Sequence, residues 1–275
     1  MDYKLILGII GNAIAVALFA SPLPTFWNIY KNKSTQDFSG IPYVCTLMNC
    51  LLWVLYGLPL VSENALLVLT INTAGCAFEI FYLVLFLVYS PKLERKKVTK
   101  LLSACCAAFA VVVALTLTVI PRKTRKLEVG SLCVVVAVAM YVSPLSVMRL
   151  VIKTRSVEFM PLLLSVCVFL NSTVWTGYGI MAKDIFIMIP NGLGMLSGVA
   201  QLLLHAFYRN ATPRPPGIGE APTKGSVAAG SDIHMQTIYV PIEKDGKTYH
   251  SKVNTVPSAT PRSTLAAGQE GAETN

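Results

Sequence analysis

Long apolar runs separated by short polar connections are the main pattern of this chain. An apolar run of about 20 residues can cross the roughly 30 Å hydrocarbon core of a bilayer as a helix. Strands of a membrane barrel would instead appear as alternating segments of about 10 residues. The pattern therefore predicts an all-α integral membrane protein with seven transmembrane helices, near residues 5–28, 42–61, 65–89, 99–120, 128–150, 161–181 and 185–207.

Part of this pattern occurs twice. The letters WVLYG at 53–57 return as WTGYG at 175–179, 122 positions later, and the offset becomes 119 after the following loop. Ordered matches of polar, proline and aromatic positions are rare by chance in apolar sequence. The matched pairs are Ser21 and Ser143, Pro22 and Pro144, Lys31 and Lys153, Ser34 and Ser156, Asn49 and Asn171, Trp53 and Trp175, Tyr56 and Tyr178, Asn72 and Asn191, Gly75 and Gly194, and Tyr89 and Tyr208.

The repeat makes spans 1–3 equivalent to spans 5–7 and leaves span 4 unmatched. A three-helix unit ends on the opposite side of the membrane from its start, so one extra helix gives both units the same orientation. We therefore predict a first repeat at 5–89, a linker helix at 99–120 and a second, parallel repeat at 128–207 (3+1+3). Carriers built on this plan bind their substrate between the repeats, near the membrane midplane.

The composition changes after the last apolar run. Pro, Gly, Ala and Ser dominate from Tyr208 onwards, and a segment with so few aromatic residues cannot bury enough surface to fold. The sequence predicts a disordered cytosolic tail at 208–275. Residues 233–243 are its one moderately apolar stretch, and that stretch is too weak a signal to predict a docking strand.

Charge limits the function and suggests an orientation. The chain is 54% hydrophobic and 13% charged with a formal charge of +9, but its basic residues flank the spans and form no stripe with aromatics, which excludes nucleic-acid binding. The positive-inside rule places the loops after spans 1, 3 and 5 and the tail in the cytosol, with the N-terminus outside. The loop at 121–128 opposes this orientation, because its four basic residues fall on the outer side.

The sequence offers no pattern typical of an enzyme or a metal site. All seven cysteines lie within apolar spans without metal-ligand spacing, as expected of small buried apolar side chains. No nucleophile, acid–base or metal constellation accompanies them. We therefore expect a protein without catalytic activity and without a cofactor.

The repeated segments resemble those of plant SWEET sugar facilitators. The resemblance covers residues 4–208 and rests on GNAIAVALFASPLPTFWNIYKNKSTQDFSGIPY, LLWVLYGLP, LTINTAG, MYVSPLSVMRLVIKTRSVEFMPLLLS, WTGYG and IPNGLG. It implies a uniporter that moves a small sugar down its gradient by alternating access, most typically in the plasma membrane. Relatives also form oligomers, but no homo-oligomer interface is legible in this sequence.

The chemistry of a sugar indicates which residues could bind it. Flat aromatic side chains suit the apolar faces of a sugar ring, and amides both donate to and accept from its hydroxyls. Each repeat supplies one candidate of each kind, Trp53 with Asn72 and Trp175 with Asn191, and the resemblance assigns the same four positions to the sugar site. Asn49 and Asn171 lie one helical turn before each Trp on the same face, so we expect them to line the site as well.

Two further positions bear on substrate size. Leu18 and Met140 each lie 35 residues before a repeated Trp and one turn before a Pro, so both are expected to face the cavity. In the family, carriers of hexoses tend to have Met at the position of Met140, and carriers of sucrose a smaller Val. A long side chain there removes the space for a second ring, so we expect hexose transport, with glucose the leading candidate.

Gating residues follow from the resemblance and from proline chemistry. A proline within a membrane helix removes a backbone hydrogen bond and permits a kink. The resemblance makes four prolines a tetrad at the cytosolic gate and assigns three polar residues to the outer gate. The tetrad is Pro22, Pro42, Pro144 and Pro161, and the outer gate is Tyr56, Tyr178 and Asp184.

Two alternatives remain at this stage. Glu79 lies inside span 3, where an ionisable group suggests a proton-coupled carrier, but its counterpart is Gly198 and no relay partner is visible. A seven-helix trafficking receptor has a similar topology. Sugar flux in reconstituted vesicles would distinguish a receptor from a carrier.

Overall fold

The structure is a computed structural model that describes residues 3–211, 236–244 and 247–255. Its membrane region is all-helical and has the predicted 3+1+3 arrangement of helices. Within residues 3–211 the helices are α1 (Tyr3–Ala20), α2 (Leu23–Asn32), α3 (Ile41–Gly57), α4 (Leu66–Tyr89), α5 (Lys92–Thr118), α6 (Arg125–Met140), α7 (Val142–Thr154), α8 (Leu162–Ala182) and α9 (Ile185–Tyr208).

The first and fifth predicted spans are each divided into two helices, α1 with α2 and α6 with α7. Pro22 has no N–H to donate to the carbonyl of Leu18. Ser21 donates hydrogen bonds to that carbonyl instead, from its backbone N–H at 3.1 Å and from its hydroxyl at 2.7 Å. In the second repeat α6 ends at Met140, four residues before Pro144, which also lacks the N–H that would bond the Met140 carbonyl.

The ends of α2 and α7 show that the repeat extends to backbone conformation. Each helix ends on a residue in the left-handed region, Lys33 with φ 51° and Arg155 with φ 52°. These two residues are 122 positions apart, the offset read from the sequence.

Two helices differ in length from their predicted spans. α3 ends at Gly57 rather than near residue 61, because Pro59 forces Leu58 into an extended conformation. Its 17 residues make a span of about 25 Å, the shortest of the seven. α5 begins at Lys92 rather than near 99, since its polar first turns contain good helix formers and a Glu94–Lys97 ion pair.

The packing of the two repeats follows one plan. The third span of each repeat contacts the first and second: α4 contacts α1, α2 and α3, and α9 contacts α6, α7 and α8. Between the repeats, α1 packs on α8 and α6 packs on α3. The linker α5 packs along α3 and α4, and therefore alongside the first repeat.

The repeated Tyr-Gly pair has a packing role. A β-carbon on Gly57 would lie 2.9 Å from the backbone of Leu69, and one on Gly179 would lie 3.0 Å from the backbone nitrogen of Met188. Glycine is required at both positions because the second span of each repeat closely approaches the backbone of the third there.

Three buried apolar clusters show where the repeats meet. The first, called here the shared cluster, draws on both repeats; it contains Ala15, Leu52, Trp53, Leu55, Tyr56, Val61, Ala65, Val68, Ile71, Val129, Cys133, Trp175, Tyr178 and Ile187. The first-repeat cluster contains Phe26, Ile29, Tyr43, Val44, Leu47, Tyr82, Leu83, Phe86 and Val98. The second-repeat cluster contains Met148, Val151 and Met160.

These clusters define two ends of the membrane region. The shared cluster extends from the two Trp toward Asp184, in the α8–α9 connection, and this side is called the Asp184 end. The opposite side, where α3 and α8 begin at Pro42 and Pro161, is called the proline end. At the proline end each repeat has its own cluster, so the repeats are packed together at one end and separate at the other.

The tail differs from the prediction of a wholly disordered segment. Strands β1 (Gln236–Lys244) and β2 (Lys247–Thr255) form an antiparallel hairpin, in which Gln236 pairs with Thr255 and Lys244 with Lys247. Nine residues of each strand are paired, in a segment whose composition had predicted no regular structure. The rest of the predicted tail beyond residue 211 lies outside the described residues.

Candidate functional site

A cavity of about 330 Å³ lies between the two repeats, at the lower end of the roughly 300–1,000 Å³ of small-molecule sites. Fourteen of its sixteen lining residues form seven pairs related by the repeat. The pairs are Ala15 and Ala137, Phe19 and Tyr141, Asn49 and Asn171, Trp53 and Trp175, Val68 and Ile187, Ile71 and Pro190, and Asn72 and Asn191. The second repeat adds Met140 and Pro144, whose counterparts do not line it.

The two Trp side chains close the cavity toward the Asp184 end. Each is 7% exposed and contacts the Tyr one turn further along its helix edge to face, Trp53 with Tyr56 at 5.3 Å and Trp175 with Tyr178 at 5.2 Å between ring centroids. Edge-to-face pairs of this kind fix ring orientation. Gly11 provides the space for Trp175, because a β-carbon there would lie 3.0 Å from the indole.

The four predicted Asn residues face the same cavity in two matched sets. Asn72 and Asn191 donate to the carbonyls of Val68 and Ile187, each at 2.8 Å, which fixes both amides against their own helices. The side-chain oxygens of Asn49 and Asn171 are buried and have no hydrogen-bond partner among the described residues. A buried oxygen without a partner is costly in free energy, so these two are suited to accept from a polar ligand.

One pair in the lining breaks the symmetry. Phe19 and its counterpart Tyr141 both lie against a glycine, Gly75 and Gly194 respectively. Only Tyr141 has a hydroxyl, and it donates to the carbonyl of Pro190 at 2.6 Å. In the first repeat the tie at this level comes from the third span instead, because the Tyr82 hydroxyl donates to the carbonyl of Phe19 at 2.7 Å.

The structure separates the two residues that were predicted to limit substrate size. Met140 lines the cavity, whereas Leu18 does not, so the expectation for Leu18 is wrong. Met140 is the last residue of α6, but α1 continues for two residues beyond Leu18. The helix break therefore falls at different positions in the two repeats and gives equivalent residues different directions.

The Asp184 end is closed by a buried polar contact between the repeats. The hydroxyl of Tyr56, fully buried, donates to Oδ2 of Asp184 at 2.6 Å. Lys126 lies 2.8 Å from the same oxygen, and the backbone N–H of Phe186 donates to Oδ1 at 3.1 Å. Tyr178 is 1% exposed and belongs to the shared cluster beside this contact.

The four prolines occupy different positions at the proline end. Pro144 lines the cavity, while Pro22, Pro42 and Pro161 do not. Pro22 is buried at the α1–α2 break, Pro42 lies in the first turn of α3 and Pro161 is exposed before α8. The prolines mark this end of the molecule without closing it.

Glu79 lies away from the cavity lining. It is 3% exposed within the first repeat, and its Oε2 has no partner among the described residues.

Two contributions were missed from the sequence, those of Lys126 and Tyr141. Lys126 belongs to the basic segment that opposed the predicted orientation. Its ion pair with Asp184 gives a structural reason for a basic residue at that position. Arg125, in the same segment and the first residue of α6, donates to the carbonyls of Leu117 in the last turn of α5 and Ile120 just after it. Tyr141 could have been found as the polar counterpart of Phe19 under the 122-residue offset.

Comparison with known proteins places most of the chain in one group. A family model described as "Sugar efflux transporter for intercellular exchange" (MtN3_slv) matches residues 5–94 and 128–213, the two repeats. The chain is 46% identical over 255 residues to the bidirectional sugar transporter SWEET7b of Oryza sativa subsp. japonica, covering 90% of this chain and 94% of that one.

Further relatives give the same result. The chain is 51% identical over 209 residues to the bidirectional sugar transporter SWEET1a of the same rice, with 75% of this chain and 77% of the relative covered. A solved structure of a eukaryotic SWEET transporter superposes with a TM-score of 0.73 at 41% identity, over 75% of this chain and 96% of the other.

Proposed function

Because the chain belongs to the MtN3/SWEET family of sugar transporters, we propose that it is a uniporter for a monosaccharide, glucose first, working by alternating access. As a member of this family it is an integral membrane transporter and not an enzyme.

The observation that carries the proposal is the pair of unpartnered oxygens of Asn49 and Asn171 in the cavity. A sugar hydroxyl can donate to each of them, while the faces of the ring pack against the two Trp side chains. The cavity presents these groups from both repeats, so one ring would bridge the repeats. No charged side chain is among the residues that line it, which suits an uncharged substrate.

The packing of the two repeats supports alternating access. The repeats share one apolar cluster at the Asp184 end and have separate clusters at the proline end, so the described conformation is closed at one end only. The opposite conformation would require the Tyr56–Asp184 hydrogen bond to break and the repeats to meet at the proline end. Parallel repeats around a central site allow such a motion without unfolding either of them.

Substrate size is assigned to Met140. Met140 lines the cavity on the side of the second repeat, and its counterpart Leu18 does not line it on the side of the first. A flexible thioether at this place fills volume that a disaccharide would need, because a close-packed site tolerates little extra volume.

The proposed orientation places the proline end in the cytosol, and the proposed location is the plasma membrane. The remaining objection was the basic loop at 121–128. Arg125 and Lys126 in that segment, at the start of α6, have structural partners, so their presence on the outer side has a local explanation. With these two set aside, the basic residues beside the membrane favour a cytosolic proline end.

Proton coupling through Glu79 is a second candidate, favoured by the buried, unpartnered oxygen of this carboxyl. Against it, Glu79 does not line the cavity, so a proton on it would not contact the sugar. A trafficking receptor has no specific observation in its favour.

The direct test measures uptake of labelled glucose into liposomes that contain the purified full chain. We expect Asn171→Ala and Asn49→Ala each to weaken glucose binding and so to raise the glucose concentration needed for half-maximal uptake about tenfold. A lost hydrogen bond to a buried group is worth about 1–3 kcal/mol. Asn12→Ala is the matched control, because the oxygen of Asn12 is also buried and unpartnered but lies outside the cavity lining. Equal losses in all three variants would reduce the effect to general destabilisation and contradict the proposal.

A further inference from the structure

A second, wholly different cavity lies on the outer surface of the first repeat. It has a volume of about 560 Å³ and is lined by two helical stripes, one on α2 and one on α4, without a charged residue. We call it the lateral groove; its lining residues are Leu23, Pro24, Phe26, Trp27, Tyr30, Phe81 and Leu85.

The lateral groove has a buried floor and an exposed aromatic rim. Phe26 at its floor is 1% exposed and belongs to the first-repeat cluster, whereas Trp27 and Phe81 at the rim are 58% and 49% exposed. These rim residues belong to membrane-spanning helices, so the groove opens toward the hydrocarbon. An acyl chain is the occupant whose chemistry fits such a surface.

Two lysines stand at one end of the lateral groove, where α2 ends. The ammonium of Lys31 lies 5.8 Å from the centre of the Trp27 ring, and that of Lys33 lies 3.9 Å from the Tyr30 ring. Lys33 also donates to the hydroxyl of Tyr89 at 3.2 Å. Lys33 ends α2 in the left-handed conformation, and its ammonium lies over the Tyr30 ring that lines the groove.

Neither ammonium is in an ion pair among the described residues, where the ion pairs are Lys97 with Glu94 and Lys126 with Asp184. Both retain donors for an anion in addition to their aromatic contacts. Along α2, the apolar groove is followed by the aromatic rim and then by the two lysines. In a phospholipid leaflet, the hydrocarbon is followed in the same order by the interface and the headgroups.

The fold itself does not require this surface. At the equivalent positions of the second repeat, Trp27 is replaced by Arg149 and Phe81 by Ala200. Arg149 would place a charge in the groove and Ala200 would remove one wall of it. The aromatic rim is therefore specific to the first repeat.

From these observations we propose that the lateral groove binds a phospholipid with an anionic headgroup. One acyl chain lies between α2 and α4, and the phosphate accepts from Lys31 and Lys33. With the proline end in the cytosol, the groove opens to the inner leaflet, which is rich in anionic lipids. The lateral groove shares no lining residue with the cavity between the repeats, so lipid binding is measured here without measuring transport.

The experiment uses native mass spectrometry of the full chain in micelles that contain equal amounts of phosphatidylglycerol and phosphatidylcholine. We expect retention of phosphatidylglycerol over phosphatidylcholine by about tenfold, since each nearby basic residue strengthens binding of an anionic lipid several-fold. Lys31→Gln combined with Lys33→Gln should bring this ratio close to one. Arg122→Gln combined with Lys123→Gln makes the same change in net charge at the other end of the membrane region and should leave the ratio unchanged.

A second pair of variants tests the acyl chain. Trp27→Ala combined with Phe81→Ala should reduce retention of both lipids, whereas Phe207→Ala, which removes an exposed aromatic from α9, should not. Three results would overturn the proposal. The first is a ratio near one in the unmodified protein, and the second is an equal fall of the ratio in the Lys31/Lys33 and Arg122/Lys123 double variants. The third is a dimer mass that disappears when the groove residues are changed, which would identify a second copy of the chain as the occupant.

Discussion

Gly11 of the first repeat lies directly against Trp175 of the second, where a β-carbon on Gly11 would be 3.0 Å from the indole Nε1. The close packing of α1 on α8 thus positions one aromatic wall of the cavity. Cys133 is the counterpart of Gly11 in the second repeat, and it is completely buried in the shared cluster. The two interfaces are related by the repeat but are not identical in side-chain volume.

This contact predicts the effect of one added methyl group. Gly11→Ala should displace Trp175 and lower glucose uptake about tenfold, because crowding in a packed site costs about 1–3 kcal/mol. Gly192→Ala is the control, since a β-carbon there meets nothing within 4 Å. Uptake by both variants, normalised to the amount of protein in the membrane, tests the assignment, and unchanged uptake in Gly11→Ala would count against it.

Breaking the buried polar contact should change which end of the molecule is open. Tyr56→Phe removes the hydrogen bond to Asp184, and the lost bond to a charged group, worth about 1.5–3 kcal/mol, favours opening at the Asp184 end. The readout is modification of Cys133, buried in the shared cluster, by a membrane-impermeant thiol reagent and located by peptide mass spectrometry. We expect about a tenfold faster reaction in Tyr56→Phe, and an unchanged rate would show that this bond does not hold the closed end.

Substrate size should respond to one repeat and not to the other. Met140→Val enlarges the cavity and should admit some sucrose while glucose uptake continues. Leu18→Val is the matched control, because Leu18 occupies the equivalent position outside the lining and should leave sucrose excluded. Sucrose uptake by the unmodified protein at the rate of glucose would remove Met140 from this role.

Transport should be independent of a proton gradient. Glu79 lies outside the cavity lining, so Glu79→Gln is expected to retain glucose uptake, and a protonophore should leave the unmodified protein's uptake unchanged. Uptake in liposomes with and without an imposed pH difference measures this. A collapse of uptake on adding the protonophore would favour the proton-coupled alternative.

Removal of the tail should leave intrinsic transport intact. The cavity is lined by residues 15–191, so a chain truncated after about residue 215 keeps the complete lining. Liposome uptake per molecule of truncated and full-length protein is the measurement. Loss of uptake by correctly inserted truncated protein would contradict the expectation.

The repeat explains why much of the cavity could be predicted from sequence. Trp53, Trp175 and the four Asn residues were identified as equivalent polar or aromatic positions in apolar helices, and the structure brings all six to one cavity. The offset fixes which residues are equivalent, and helical periodicity fixes the face on which they lie.

The failures have physical causes as well. Leu18 was expected in the lining because its sequence position matches that of Met140, but sequence equivalence does not fix where each helix breaks. α1 continues to Ala20, two residues beyond Leu18, whereas α6 ends at Met140, so the two equivalent residues lie at different positions relative to the helix break. Composition alone does not predict the hairpin, although the Asp-Gly pair at 245–246 is typical of a two-residue turn.

The unequal packing at the proline end bears on how the carrier would move. The first repeat has an aromatic cluster there around Phe26, Tyr43 and Tyr82, with stacked and edge-to-face rings 4.5–5.8 Å apart, and the linker α5 lies along the same repeat. At the matching depth, within residues 3–211, the buried apolar residues of the second repeat are Met148, Val151 and Met160, and the partly buried side chains packed on them include one aromatic, Tyr208. If the carrier moves as proposed, we expect the first repeat with the linker (α1–α5) to stay rigid and the more loosely packed second repeat (α6–α9) to move against it. Amide hydrogen exchange should accordingly be slower in α2 and α4 than in α7 and α9.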